Sequence, residues 1–163
     1  MAEILEVTQL LANTAEPLRK FRWILALNCI DAYTARTSKR PGDGSFEETV
    51  IDFVNEKRYL SGKWTPNDFS IQLWDPIAPS AAQKVQDWVR LNYENLTGRM
   101  GYADFYKKDF DLKLLDPPGG VAQQWSIKGA WIKTIDYGTL DYSSSDVVTI
   151  DLTIRYDKAE LLF

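Results

Sequence analysis

Residues 55–88 read NEKRYLSGKWTPNDFSIQLWDPIAPSAAQKVQDW. Near the middle of this stretch, Phe69, Ile71 and Leu73 alternate with polar residues, and this period of two predicts a strand with one buried face. Residues 56–61 predict an earlier strand, and two prolines end the strand region before a run with helical composition. This stretch therefore predicts two strands followed by a helix.

The helix is predicted to begin at Ser80, which stands three residues before Gln83, the spacing of a capping box. Gly98 is its predicted stop, and residues 99–105 are interpreted as a loop. An apolar stripe along one side indicates that the helix covers a sheet. The stripe consists of Val85, Trp88, Val89, Tyr93 and Leu96.

Strand patterns dominate the second half of the chain. Alternating apolar residues predict strands over 109–114, 124–131 and 147–156, with a turn at residues 116–120. In the middle strand the predicted buried side includes Trp125, Ile127, Gly129 and Trp131, which puts Ala130 on the opposite side. Two-sided strands of this kind belong to antiparallel sheets. The predicted fold is therefore mainly β, with two packed antiparallel sheets, as a sandwich or barrel, and a flanking α-helix.

The first half of the chain is less regular. Residues 1–18 predict an N-terminal helix or arm, because apolar residues recur at helical spacing in residues 2–15. Residues 21–30 and 32–37 predict strands, and residues 38–45 have the composition of a loop. Residues 48–54 and 56–61 predict either a hairpin or one long bent strand. The apolar residues of the N-terminal segment are Ile4, Val7, Leu10 and Leu11.

Composition excludes several classes of protein. The chain has 163 residues, of which 45% are hydrophobic and 26% charged, and this predicts one folded domain over residues 1–163. No apolar run is long enough to span a bilayer, and we expect no secretion signal. The chain has no histidine, which removes the commonest general base and zinc ligand. Its single cysteine, Cys29, lies on an alternating pattern and is interpreted as a buried apolar side chain.

Two monomeric alternatives follow from the residues alone. A small β-barrel hydrolase that uses carboxylates is conceivable, but the acidic residues show no diagnostic pairing and no nucleophile motif is present, so we predict no enzyme and no cofactor. A carbohydrate-binding β-sandwich would use some of the six Trp and eight Tyr residues. Trp88, Trp125 and Trp131 fall on apolar stripes, however, and are interpreted as core residues.

Several sequence blocks resemble the tail-tube proteins of contractile-tailed bacteriophages of the T-even type. The resemblance covers most of the chain from about Phe21, and no block is specific by itself. Their order and spacing together indicate the family. The blocks are residues 55–58 through Gly62, 68–71, 82–88, 126–131 and 149–157.

The resemblance implies a structural virion protein whose hexameric rings stack into a hollow tube, the DNA conduit inside a contractile sheath. Implied partners are other copies of the chain, the tail sheath protein, the tape-measure protein, the baseplate tube initiator, and viral DNA that passes through the lumen without specific binding. The implied location is the virion, after assembly in the host bacterial cytoplasm. Tube proteins of type VI secretion or other contractile injection systems, and baseplate tube initiators, are related alternatives.

In the family, an extension reaches the adjacent ring, and here it would map to residues 38–62. The predicted interface residues are Phe53, Asn55, Lys57, Arg58, Tyr59, Leu60, Trp64 and Trp74. The predicted lumen residues are Ser70, Gln72, Thr149, Asp151 and Thr153. Their neutral or acidic character and the net charge of −4 suit a conduit in which DNA slides without adhering, since proteins that bind DNA concentrate basic residues.

Overall fold

The computed structural model describes residues 16–27 and 29–163 of the chain. Its helices are α1 (Ala81–Asn92) and α2 (Ala103–Tyr106), and one 3-10 turn covers Ala32–Thr34. The predicted N-terminal helix or arm lies outside the described residues except for residues 16–18, which form neither helix nor strand. The strands are β1 (Trp23–Ala26), β2 (Ala35–Ser38), β3 (Gly44–Phe53), β4 (Glu56–Pro66), β5 (Phe69–Trp74), β6 (Lys108–Leu115), β7 (Val121–Asp136), β8 (Thr149–Arg155) and β9 (Lys158–Leu161).

Two antiparallel sheets share the long strand β7. The first part of β7 pairs with β6 on one side and β9 on the other, and β1 pairs with β6. The last part of β7 pairs with β8, which is followed by β5 and β2. The hairpin of β3 and β4 forms a separate two-stranded sheet. The predicted fold class, mainly β with two packed antiparallel sheets and a flanking helix, is confirmed.

The core lies between the two sheets and under α1. Phe69 on β5 and Phe110 on β6 meet across it with ring centroids 5.8 Å apart, and Val85 and Trp88 close it from the helix. The Trp88 indole N–H donates to the carbonyl of Tyr106 at 2.7 Å, which satisfies its polar atom in the core. The strands supply the buried residues Leu25, Phe69, Ile71, Leu73, Phe110, Leu112, Leu114, Ile127, Ala130, Ile150, Leu152 and Ile154.

A bulge corrects the predicted faces of β7. Lys108 pairs with Ala130, whereas Phe110 pairs with Ile127, so β7 has one residue more than β6 in this interval. Gly129 has a φ of +66° there, which residues with a side chain rarely adopt. The extra residue shifts the alternation, so that Ala130 is buried and Trp131 is only half-buried. The assignment of Ala130 to the polar side was therefore wrong.

Helix α1 begins as predicted but ends early. The Ser80 hydroxyl accepts a hydrogen bond from the Gln83 N–H at 3.4 Å, and the Asp75 carboxylate accepts from the N–H of Ala81 at 3.0 Å. The predicted stop at Gly98 was wrong, because Tyr93 is extended and forms a bridge with Met100. The predicted stripe residues Tyr93 and Leu96 are consequently exposed.

Three shorter segments also differ from the predictions. The strand predicted over residues 21–30 is limited to β1. The segment 32–37 begins as a 3-10 turn, because the buried Thr34 hydroxyl donates to the Asp31 carbonyl at 2.7 Å and so holds the chain in a turn. Residues 99–105, predicted as a loop, contain the start of α2.

Candidate functional site

The β3–β4 hairpin is the largest feature that leaves the two-sheet body. Its strands have 10 and 11 residues and pair from Gly44 with Pro66 to Phe53 with Glu56, with one register shift between Phe46 and Glu48. Within the described residues, neither strand pairs with any other strand. The predicted extension over residues 38–62 therefore overlaps this hairpin, although residue 38 belongs to β2 and the hairpin continues to Pro66.

Both faces of the hairpin expose apolar side chains. Val50 lies opposite Tyr59 on one face, and Ile51 lies opposite Arg58 on the other. Phe53, next to the turn, is 77% exposed, and Val54 in the turn has a φ of +51°. Near the base, Phe46 packs on Trp64 with ring centroids 4.7 Å apart. A two-stranded sheet with apolar residues on both faces buries little of its own surface.

The structure brings together all but one of the predicted interface residues. Seven of the eight lie on the hairpin, and Trp74 lies elsewhere, at the end of β5. There it is opposite Thr149 on β8, and the Arg36 guanidinium lies 5.5 Å from its ring centroid. The seven hairpin residues are Phe53, Asn55, Lys57, Arg58, Tyr59, Leu60 and Trp64.

The predicted lumen residues share one face of the second sheet, which we call the outer face. Ser70 lies opposite Thr153 and Gln72 opposite Asp151, and the Gln72 amide donates to the Asp151 carboxylate at 2.9 Å. The core residues of β5 and β8 point the other way. The outer face contains all five predicted residues, Ser70, Gln72, Thr149, Asp151 and Thr153, and also Trp74, which lies opposite Thr149.

One ion-pair cluster, in which a single carboxylate pairs with two basic side chains, lies near this face. The Asp68 carboxylate accepts from the Lys133 ammonium at 2.6 Å and from the Arg155 guanidinium at 2.8 Å. These two hydrogen bonds, Lys133 first, lower the pKa of Asp68 below its ordinary value. Sequence reasoning missed the cluster, because Lys133 follows the bulge in β7 and its neighbours depend on the pairing of distant strands.

Potential metal ligands are not clustered in the described residues. These residues contain no group of three or more His, Cys, Asp or Glu side chains that could hold a metal ion. Cys29 is half-buried and packs against the core, and burial raises the pKa of its thiol. No helix in the described ranges is long and apolar enough to cross a membrane.

The sequence model of the family described as "T4-like virus tail tube protein gp19" matches residues 60–160. The matched range begins within β4 and includes both sheets except β1 and β2. No curated protein matches the sequence.

Solved structures of contractile particles share the fold. The tube-terminating cap of the anti-feeding prophage matches with a TM-score of 0.70 at 15% identity, over 90% of this chain and 91% of that one. A chain of the sheath-tube complex of PVC, an extracellular contractile injection system, matches with a TM-score of 0.68 at 15% identity, over 97% and 98%. A chain of the six-fold symmetrised baseplate of the anti-feeding prophage matches with a TM-score of 0.70 at 15% identity, over 91% and 97%.

The family match and the fold agree with each other. The resemblance drawn from the sequence blocks is confirmed, since the family model reaches over the core strands and the helix that those blocks encode. Because this match spans more than half of the sequence, the chain belongs to the T4-like virus tail tube protein gp19 family.

Proposed function

We propose that the protein is a structural virion protein, a tail-tube subunit whose hexameric rings stack into a DNA conduit inside a contractile sheath. The observation that supports this most is the β3–β4 hairpin, which exposes apolar side chains on both faces and pairs with no other described strand. Such a surface needs a partner, and in a tube the partner is another copy of the chain. The six-fold symmetry of the similar baseplate structure agrees with hexameric rings.

The hairpin supplies the contact between rings in this proposal. Its tip carries Phe53 and Val54, and its shaft carries Tyr59 and Leu60, all of them exposed. Aromatic and aliphatic residues of this kind form the centres of protein interfaces, where burial removes them from water. Axial repetition of the same contact produces a tube of indefinite length.

The ring closes through the remaining sheet edges. Strands β1 and β2 end the two sheets, and each has one side without a strand partner among the described residues. Unpaired edges invite pairing with another chain, and a closed ring satisfies them in a controlled way. Trp74, beside the end of β2, lies close to such an edge and serves the contact within the ring.

In the proposed tube the lumen is lined by the outer face, which is the face of the β5–β8 sheet that points away from the core of the subunit. Its predicted lumen residues are neutral or acidic, and Lys133 and Arg155 are paired with Asp68. A face whose predicted lumen residues are neutral or acidic, and whose Lys133 and Arg155 share the Asp68 carboxylate, neutralises few phosphates, so DNA passes without adhering. The opposite surface of the ring contacts the sheath protein. The tape-measure protein lies against the lumen, and the baseplate initiator contacts the first ring.

Electron microscopy of the purified full-length chain tests the assembly. We expect stacked rings of uniform diameter with a central channel, formed alone or on addition of a baseplate initiator. Phe53→Asp should abolish stacking and leave single rings, because it buries a charge in the contact between rings. The control Leu96→Asp changes an exposed apolar residue outside the hairpin and should stack normally. Unchanged stacking by Phe53→Asp, or monomers from the wild type under all these conditions, contradicts the proposal.

Two further variants separate the predicted contacts. Trp64→Ala should weaken stacking of rings, and Trp74→Ala should weaken formation of the ring itself, because the two residues lie on different parts of the subunit. Retained rings and tubes in both variants would remove these residues from the interfaces.

The transported cargo is a separate question from the tube. The fold is shared with a chain of the sheath-tube complex of PVC, an extracellular contractile injection system, so this fold is compatible with a particle that injects other cargo. Particles isolated from the host should contain double-stranded DNA in the lumen after ejection is triggered. A tube with a protein cargo and no DNA would favour the injection-system alternative.

A further inference from the structure

A groove opens between the edges of the two sheets, on the side away from β7. It has a volume of about 580 Å³, and its floor includes Trp23 on β1 and Leu112 and Leu114 on β6. Ser38 on β2 forms part of the opposite wall. A cavity of this volume accommodates several side chains.

The rim of this groove is basic. Arg19 and Lys20 lie on one side, and Arg36 and Arg40 on the other. None of the four forms an ion pair with a described residue, whereas neighbouring Lys39 pairs with Asp43 at 2.8 Å and Arg22 pairs with Glu16 at 3.4 Å. An apolar floor with four cationic side chains around it fits an amphipathic segment that has acidic residues and no basic ones.

Residues 1–15 of this chain have that composition. Their sequence is MAEILEVTQLLANTA, which contains Glu3 and Glu6 and no Lys or Arg. Ile4, Val7, Leu10 and Leu11 recur at the spacing that places them on one side of a helix. The segment therefore matches the groove in both apolar pattern and charge.

The chain path also leads from this segment to the groove. Leu18 lines the groove, and residues 19–22 form a turn in which the Arg22 N–H donates to the Arg19 carbonyl at 3.3 Å. A turn at this point reverses the chain just before β1, and Leu18, which precedes the turn, lies at the groove. A segment tethered so close has a high effective concentration at the groove.

We infer that residues 1–15 dock as an amphipathic segment in the groove between β1, β6 and β2 of their own chain. The apolar residues cover the Trp23 and leucine floor, and Glu3 and Glu6 face the basic rim. Docking would cover the apolar floor of the groove. This inference concerns a single subunit and does not depend on the proposed tube.

Disulfide trapping in the full-length chain tests the docking. In a Cys29→Ala background, Thr8→Cys is combined with Ser38→Cys in the groove wall, and the control pair combines Thr8→Cys with Ser61→Cys on the hairpin. We expect the first pair to cross-link on the order of tenfold faster than the control. An equal mixture of chains with natural and heavy nitrogen isotopes then shows by mass spectrometry whether the link joins one chain or two.

Charge reversal sharpens the test. Arg36→Glu with Arg40→Glu should slow the cross-link several-fold, and addition of Glu3→Lys and Glu6→Lys should restore it. The matched control, Arg58→Glu with Lys63→Glu on the hairpin, should leave the rate unchanged. Frequent links between differently labelled chains overturn docking within one chain in favour of a neighbouring copy, because cross-linking between copies pairs the labels at random. A rate equal to the control pair, or no response to charge reversal, overturns the docking altogether.

Discussion

The two-sheet body and the β3–β4 hairpin are built from similar strand sequences, yet they bury very different amounts of apolar surface. On β5, Phe69, Ile71 and Leu73 are at most 2% exposed, because they face the second sheet and α1. On the hairpin, Val50 and Leu60 are 43% and 44% exposed, because no other described element covers either face. The body completes its core within one chain, and the hairpin does not.

This difference separates folding from assembly. Substitutions in the body should change the free energy of unfolding of the subunit, since its apolar contacts exist before any ring forms. Substitutions in the hairpin should change assembly instead, since in the proposed tube its exposed apolar residues pack against another copy. The following variants test that division, from the largest expected effect on subunit stability to the smallest.

Leu73→Ala on β5 should lower the free energy of unfolding by about 2–5 kcal/mol, because it leaves a cavity at a fully buried position. Urea denaturation of the unassembled subunit measures this change. Leu60→Ala on the hairpin is the matched control and should stay within about 0.5 kcal/mol of the wild type. Equal losses in the two variants would mean that the hairpin packs within its own chain.

Gly129→Ala in the β7 bulge should lower the free energy of unfolding by about 1–3 kcal/mol. The backbone has a positive φ there, and an added Cβ would lie 2.2 Å from the Asp157 carboxylate, which is itself bound by Lys107 at 2.7 Å. Gly119→Ala, also at a positive φ but with nothing within 4 Å, gives the cost of backbone strain alone. A loss no larger than that of Gly119→Ala would show that Asp157 moves aside freely.

Asp68→Asn should lower the free energy of unfolding at pH 7 by about 1 kcal/mol, because it removes the anion that pairs with Lys133 and Arg155. The pKa of Asp68 is lowered in the folded state, so its contribution is present above the unfolded pKa and is lost as the pH falls through the folded value. The variant should therefore lose less stability than the wild type between pH 7 and about pH 3.

Asp52→Asn is the control for this prediction on the hairpin. Asp52 lies 4.0 Å from the Lys57 ammonium, and both side chains are mostly exposed. Its substitution should leave the free energy of unfolding at pH 7 nearly unchanged. Urea denaturation at the two pH values measures both variants, and parallel pH profiles for Asp68→Asn and the wild type would contradict the stabilising role of the cluster.

Phe53→Ala at the hairpin tip should have the smallest effect on the subunit, less than about 0.5 kcal/mol, because the side chain is already exposed. The same variant should reduce tube assembly, which sedimentation and electron microscopy measure at matched protein concentration. A subunit that is destabilised as strongly as Leu73→Ala would contradict the division between body and hairpin.

Local pattern was sufficient where a strand or helix terminus is decided by its own residues. The alternation in β5, β6 and β8 predicted their buried faces, and the Ser80 spacing predicted the start of α1. Pattern failed at the bulge in β7, at the end of α1 and at the turn of residues 32–34. In β7 the pairing with β6 outweighs the local preference, and at the end of α1 the bridge between Tyr93 and Met100 does so. In residues 32–34 the hydrogen bond from the Thr34 hydroxyl to the Asp31 carbonyl has the same effect.

The candidate surfaces were likewise predicted from the sequence only where neighbouring residues in one strand decide them. The five predicted lumen residues lie on one face, because each alternates with core residues on its own strand and the two strands are neighbours. Trp74 was grouped with the hairpin residues but lies on β5, near Arg36. The Asp68 cluster and the basic groove depend on residues far apart in the chain, so no pattern in one segment indicates them.

The sequence by itself determined the two-faced character of the main strands and the start of the capped helix, because each depends on short-range order of residue types, and it indicated the family through the order and spacing of its sequence blocks. Only the tertiary structure decided which strands are neighbours, that β7 belongs to both sheets, and that β3 and β4 stand apart from the core. The physical reason is that strand pairing and burial join residues distant in sequence, and the same alternating pattern is stable either in a core or on a surface that another chain covers.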